Sequence, residues 1–351
     1  MELLYFYALA HQTAFDVRWI KSRSISELLV APLADRLAAC TLPTEGEAAE
    51  EAGDEALTVL GGSFVQAVRL GESGRVESLS YRDAGTGEEH TLDDLSGCVL
   101  ALGAKGMKSV MRGSPQLARR APELCAAASL DAIDVVAVRL WLDVTVPTRT
   151  PANVFSKFPA LRGAGGTFFM LDQLQNDDLS LLWGGDEPQG SVVACDFYNA
   201  GGLLPLSEED IVSMLMEELL PAAVPEFGAA TVVESYVQRY PGAVTWFSPG
   251  SYSKRPPLVT SVPNLVCAGD WVRMGDREHG AKGLCQERAY VSGLEAGNAL
   301  ARSGFLGSNR REHPVIPVRD DEPQVVAGRT ANKMLANALA PLGLPASPWV
   351  R

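Results

Sequence analysis

The stretch "NLVCAGDWVRMGDREHGAKGLCQERAYVSGLEAGN", from Asn264 to Asn298, narrows the possible folds more than any other part of the chain. It opens with Leu265, Val266 and Cys267, an apolar run of the length of a buried strand. Gly269 follows, and a residue without Cβ lets the backbone approach a ligand closely. Asp270 then falls at the carboxyl end of the strand, where open α/β sheets bind ligands. A carboxylate there accepts hydrogen bonds from sugar-alcohol hydroxyls. Gly280 and Gly283 permit a tight turn into a helix expected from about Leu284 to Arg302. The start of such a helix aims free N–H groups and partial positive charge at an anion. Ala289, Ser292, Gly293 and Ala296 recur at three- and four-residue spacing, giving a face small enough to pack closely on a sheet. An ordinary strand–turn–helix has the same outline. The glycine-opened helix and its small-residue face favour a dinucleotide site.

The rest of the chain supplies a framework for that site. "SGCVLALGAKGM" reads as a second buried strand running through a glycine turn into a helix. "LTVLGGSFVQAVRL" and "VESLSYRD", separated by the turn "GESG", form a β-meander. "LDAIDVVAVRLWLDVTV" is a long strand: Val136, Val138, Leu140 and Leu142 share one face, Ala137, Arg139, Trp141 and Asp143 the other. "GTFFMLDQL", "GSVVACDFYN" and "TVVESYVQRYPGAVTWF" add strands. "SEEDIVSMLMEELLPAAV" is a helix capped by Ser207, with acids in its first turn and Pro221 after its end. Two helices are expected over residues 1–40, the second starting at Ser26. "PTEGEAAEEAGDEA" is an acidic, solvated loop. The tail is Pro-rich and extended, then a short amphipathic helix over "ANKMLANALAPL".

Composition removes several function classes. A net charge of −13 and a pI near 4.9 argue against nucleic acid and against anionic membranes. No run of 18 apolar residues provides a membrane-spanning helix. Six scattered cysteines without CxxC spacing read as small buried hydrophobes in a reducing compartment. Four histidines without ligand spacing give no metal site. The N-terminus lacks the basic region and cleavage site of a signal peptide and is too acidic for a transit peptide.

The quoted stretch resembles the C-terminal flavin motif of the flavin-containing amine oxidoreductase superfamily, and within it the phytoene desaturase-like carotenoid enzymes of plastids and cyanobacteria. "AFDVRWIKSRSISELLVAPLADRLAA", "SGCVLALGAKGMKSVM" and "SPGSYSKRPPL" resemble further segments of that family, so the likeness runs in order over residues 1–303. It implies an α/β chain: a Rossmann-like FAD-binding fold of the amine oxidase type, with an interleaved mixed-sheet substrate domain of α+β character. The implied division is substrate-domain helices over 1–42, the acidic loop 43–56, part of the FAD domain over 57–112, and the substrate domain over 113–262. The flavin motif over 263–303 and an extension over 304–351 complete it.

The family holds the FAD diphosphate on an N-terminal GxGxxG turn, and this sequence contains none. "GAGGTF" at Gly163 has Phe168 where the third glycine belongs, and "GAKG" at Gly103 and Gly280 is only GxxG. The sequence is therefore expected to be incomplete against the family, as a fragment or by loss, and to bind FAD weakly alone. By resemblance, Gly269, Asp270 and Trp271 contact the ribityl and diphosphate region. Gly280 and the backbone of Lys282, Gly283 and Leu284 face the flavin, and the backbone of Val65 holds adenine. Trp246 and Phe247 would line an apolar substrate channel, and Arg139 is a minor substrate candidate. Glu278 and His279 are the titratable groups beside the helix start. Amine oxidases of the superfamily carry a lysine on the strand matching "VVAVRLWLD"; Ala137 stands there, with Arg139 nearby. The expectation is thus a desaturase or isomerase moving a hydride between an apolar substrate, possible carotenoids included, and FAD. Membrane contact would be peripheral, and the location plastid in a eukaryote, otherwise cytoplasm. A flavin amine oxidase, or a non-catalytic remnant acting as an interaction domain, are the alternatives.

Overall fold

The structure, a computed structural model, describes residues 23–39, 57–155, 158–175, 178–275, 286–307, 312–316 and 323–343. The first helix expected over residues 1–40 and the acidic loop 43–56 lie outside them. The second helix begins at Ser26, where the pattern places it. The Ser24 hydroxyl accepts the Glu27 N–H at 3.2 Å, and the Glu27 carboxylate accepts the Ser24 N–H at 3.1 Å, a reciprocal cap. A π turn, Ser26–Val30, leads into α1, Ala31–Ala38.

Strands β1 (Ser63–Leu70), β2 (Val76–Asp83) and β3 (Glu89–Leu92) form the antiparallel meander. Strand β4 (Cys98–Leu100) runs through Gly103 into α2 (Ala104–Gly113), followed by α3 (Pro115–Arg120) and α4 (Pro122–Ala128). The end of α2 is fastened to β1 where the Ser114 hydroxyl accepts the Val68 N–H at 2.8 Å.

A second sheet follows, built from β5 (Ala132–Leu142), β6 (Ala152–Phe155), β7 (Gly165–Met170), β8 (Val192–Tyr198) and β9 (Val232–Thr245), in the order β6-β7-β8-β5-β9. Every pairing is antiparallel, where a mixed sheet was expected. β8 and β9 lie on either side of β5, and the chain passes from one to the other through the helical run after Ser207. Val136, Val138, Leu140 and Leu142 are all buried on one face, as alternation requires. That face also carries Phe168 and Phe197 and packs against Phe155, Phe227 and the helix α5 (Glu208–Ser213). Ser207 and Asp210 form the expected cap reciprocally. Pro221 does not end this helix. A wide π turn, Met214–Leu219, carries it on to Ala223 and shifts the hydrogen-bond ladder just before Pro221.

Strand β10 (Leu265–Cys267) pairs in parallel with β4, Leu265 opposite Cys98 and Cys267 opposite Leu100. The helix α6 (Gln286–Arg302) packs on β10, and α7 (Pro323–Leu339) starts well before the expected "ANKM". Two apolar cores result. One joins β1, β2, β4, α2, α3, α4, β10 and α6; the other lies under the five-stranded sheet. Leu117, Leu124 and Leu130 belong to the first, as do Leu258 and Val262. The division between the two cores falls near residue 131 and again before residue 258. Among the described residues no helix is long and apolar enough to cross a membrane.

Candidate functional site

Parallel pairing brings the carboxyl ends of β4 and β10 to the same side, and the loop after β10 is built there. The Ala268 N–H continues the pairing onto the Leu100 carbonyl at 3.1 Å. Gly269 takes φ +129, a conformation that side-chain-bearing residues avoid, and its N–H donates to the Ser292 hydroxyl of α6 at 2.8 Å. The Trp271 ring is buried in the first core, and its Nε1 donates to the Leu102 carbonyl at 2.7 Å. The loop is thus tied on one side to α6 and on the other to the turn between β4 and α2.

Two buried arginines flank Asp270. Arg288, in the first turn of α6, donates from Nε to the Asp270 carbonyl at 2.7 Å and from Nη2 to the Val272 carbonyl. Arg255 lays its guanidinium 3.8 Å over the Phe247 ring, and its own carbonyl accepts the Arg273 Nε at 2.9 Å. Burial pushes the Asp270 carboxyl above the usual carboxylate range. Its own N–H, Arg288, Arg255 and the Trp271 N–H pull it back. Asp270 is thus a half-buried carboxyl facing two cations at the end of a parallel strand pair.

The five-stranded sheet reaches this place through the end of β9. The Thr245 hydroxyl accepts the Ala104 N–H at 3.3 Å, so β9 abuts the start of α2. Phe247 is half-buried against the first core and stacked on Arg255, and Trp246 beside it is 52% exposed. Phe247 is therefore brought towards Asp270 through Arg255.

Other candidates fall elsewhere. Gly280, Lys282, Gly283 and Leu284, with Glu278 and His279, lie outside the described residues. Val65 sits on β1 opposite Tyr81, just before a bulge, with its side chain against the first core. Arg139 lies on the open face of β5, opposite Ala194 and Tyr236 and diagonal to Asp196. Burial presses its guanidinium down and Asp196 supports it; burial pushes Asp196 up and Arg139 restrains it. Of the small residues on α6, Ser292 and Ala296 are buried, but Gly293 faces open space and takes no part in the contact. Cys98, Cys195 and Cys267 are buried, with burial pushing the Cys98 thiol to about 11 and that of Cys267 to about 12, so they are inert. Cys125 is exposed, against expectation. A groove of about 560 Å³ lined by Arg162, Leu206, Asp210, Met214 and Glu217 belongs to the helical side of the second core and shares no residue with the Asp270 loop.

Arg255 and Arg288 were missed in the sequence. Arg288 stands four residues before Ser292 and eight before Ala296, which puts it on the buried face of α6, so its spacing was a usable signal.

The family described as "Flavin containing amine oxidoreductase" matches residues 32–300. The chain belongs to that family. The Carotenoid phi-ring synthase of Chlorobaculum tepidum is 26% identical over 230 residues, 63% of this chain and 32% of that protein. The chain thus spans about a third of the length of this curated relative. An oxidoreductase from Methanosarcina mazei is similar with TM-score 0.38 and 14% identity, covering 65% of this chain and 47% of that one. Cyclohexylamine oxidase from Brevibacterium oxydans gives TM-score 0.37 and 11% identity, with coverages of 66% and 48%. Membership rests on the family match rather than on these partial structural likenesses.

Proposed function

We propose that this chain carries the flavin-end contacts of an FAD-dependent oxidoreductase acting on an apolar, carotenoid-like substrate. The observation that carries the reading is Asp270, half-buried at the shared carboxyl end of β4 and β10 between Arg255 and Arg288. A ligand bearing both hydroxyls and negative charge suits such a place: the carboxylate accepts from hydroxyls while the guanidiniums favour the anion. FAD has both, and when bound it supplies a two-electron acceptor for hydride. On this reading Asp270 orients the cofactor, and Trp246 and Phe247 present an apolar wall that keeps water from the substrate side. The substrate class is supported by the similarity to a carotenoid enzyme and by β5, which bears no lysine between Ala132 and Leu142. That absence counts against amine oxidation. The experiment is anaerobic mixing of FAD-supplemented chain with a solubilised polyene or with a primary amine, following visible flavin absorption. Bleaching by the polyene alone supports the reading; bleaching by the amine alone replaces it with the amine oxidase.

A further inference from the structure

Arg288 stands in an unusual place. It is fully buried, and it lies in the first turn of a helix, where the helix dipole disfavours a cation. A buried guanidinium is tolerated only when its donors are well used. Two of them hold the carbonyls of Asp270 and Val272, on either side of the buried Trp271. The Asp270–Trp271 peptide is planar and trans, so its C=O and N–H point in opposite directions. Turning the Asp270 carbonyl towards Arg288 turns the Trp271 N–H away from it. That N–H acts on the Asp270 carboxylate and favours its charged form, as the Asp270 N–H and the two arginines do. One side chain thereby fixes the main chain from which the Asp270 carboxylate projects. The Gly269 N–H bond to Ser292, one helical turn further along α6, holds the other end of the loop.

We propose that Arg288 is a positioning residue for the cofactor: through the Asp270–Trp271 peptide it sets the direction of the Asp270 carboxylate towards bound FAD. The inference rests on the flavin reading above. Arg288 has no need to touch the cofactor, and its influence passes through Asp270. Lysine cannot replace it, because a single ammonium does not span two carbonyls as a planar fork does.

The test is a double-mutant cycle on FAD affinity in the full chain, read by quenching of flavin fluorescence, with Arg288→Gln, Asp270→Asn and both together. Each single substitution is expected to weaken FAD binding about tenfold, the scale of one charge-assisted hydrogen bond. The pair is expected to weaken it no further than the worse single variant. Arg288→Lys, which keeps the charge and the helix, should recover only part of the loss. Additive losses in the cycle would mean that Arg288 supports the fold without acting through Asp270, and would overturn the positioning role alone. Unchanged affinity in both Arg288 variants would do the same. A wild-type chain that takes up no FAD would overturn the flavin reading and the positioning role with it.

Discussion

Asn264 gives a sharp test of how the two sheets flanking the site are joined. It is fully buried, one residue before β10. Its Oδ1 accepts the Val76 N–H at 2.8 Å, and its Nδ2 donates to the Val76 carbonyl at 2.9 Å. Longer contacts reach the carbonyls of Leu95 and Ser96, at 3.5 and 3.4 Å. Its backbone carbonyl accepts the Cys98 N–H at 2.8 Å and survives any substitution of the side chain. Replacing Asn264 by Ala removes both of these bonds from Val76, which is only 1% exposed. An unsatisfied buried donor costs about 1–3 kcal/mol, and the orphaned carbonyl adds to it, for a loss of about 3 kcal/mol. That is a large part of the ~5–15 kcal/mol that holds a typical domain together. Urea unfolding followed by tryptophan fluorescence measures it directly. Asn264→Asp keeps the size and one acceptor but sets a second oxygen against the Val76 carbonyl. Its carboxyl would be held above the usual range in the folded chain, because only the protonated form donates to that carbonyl. Folding would then favour the bound proton, so stability would be lowest near neutrality and rise as pH falls through the carboxylate range. A cost below ~0.5 kcal/mol for Asn264→Ala, or no pH dependence for Asn264→Asp, would mean that the Asn264 side chain does not hold β2 to β10.

Asp270→Asn should raise the melting temperature of the ligand-free chain at neutral pH. The folded-state carboxyl is shifted up, so its contribution to stability is present at low pH and lost as pH rises through the folded value. The gain from asparagine should accordingly vanish in melts run at pH values below the carboxylate range. Gly269→Ala should cost about 1–3 kcal/mol, from φ +129 and from a Cβ that would lie 3.2 Å from Trp271 Cδ1, and thermal unfolding would register it.

What was readable in the sequence follows from periodicity. The alternation from Val136 to Leu142 gave the buried face of β5, and Ser207 with Asp210 gave the start of α5, because both signals are local. The turn at Gly269 was readable because a glycine directly after an apolar run marks a backbone that needs its freedom, here φ +129. The partners of these residues were not readable. Val76 and Asn264 are 188 residues apart, and Arg255 reaches Asp270 and Phe247 only through the folded chain. The antiparallel order of the second sheet was missed for the same reason, since strand direction depends on which strands meet. Pro221 misled because a proline stops a regular helix, while a π turn shifts the ladder and lets it continue.

Asp270, at the carboxyl end of β10, is proposed above as a contact for FAD. Equilibrium dialysis of the full chain against FAD, with Asp270→Ala alongside as the only change, tests it most directly. Saturable uptake by the wild type and a clearly weaker isotherm for the variant are expected, with both retaining the same far-ultraviolet circular dichroism. Equal isotherms for the two proteins, or no uptake by the wild type, would contradict it.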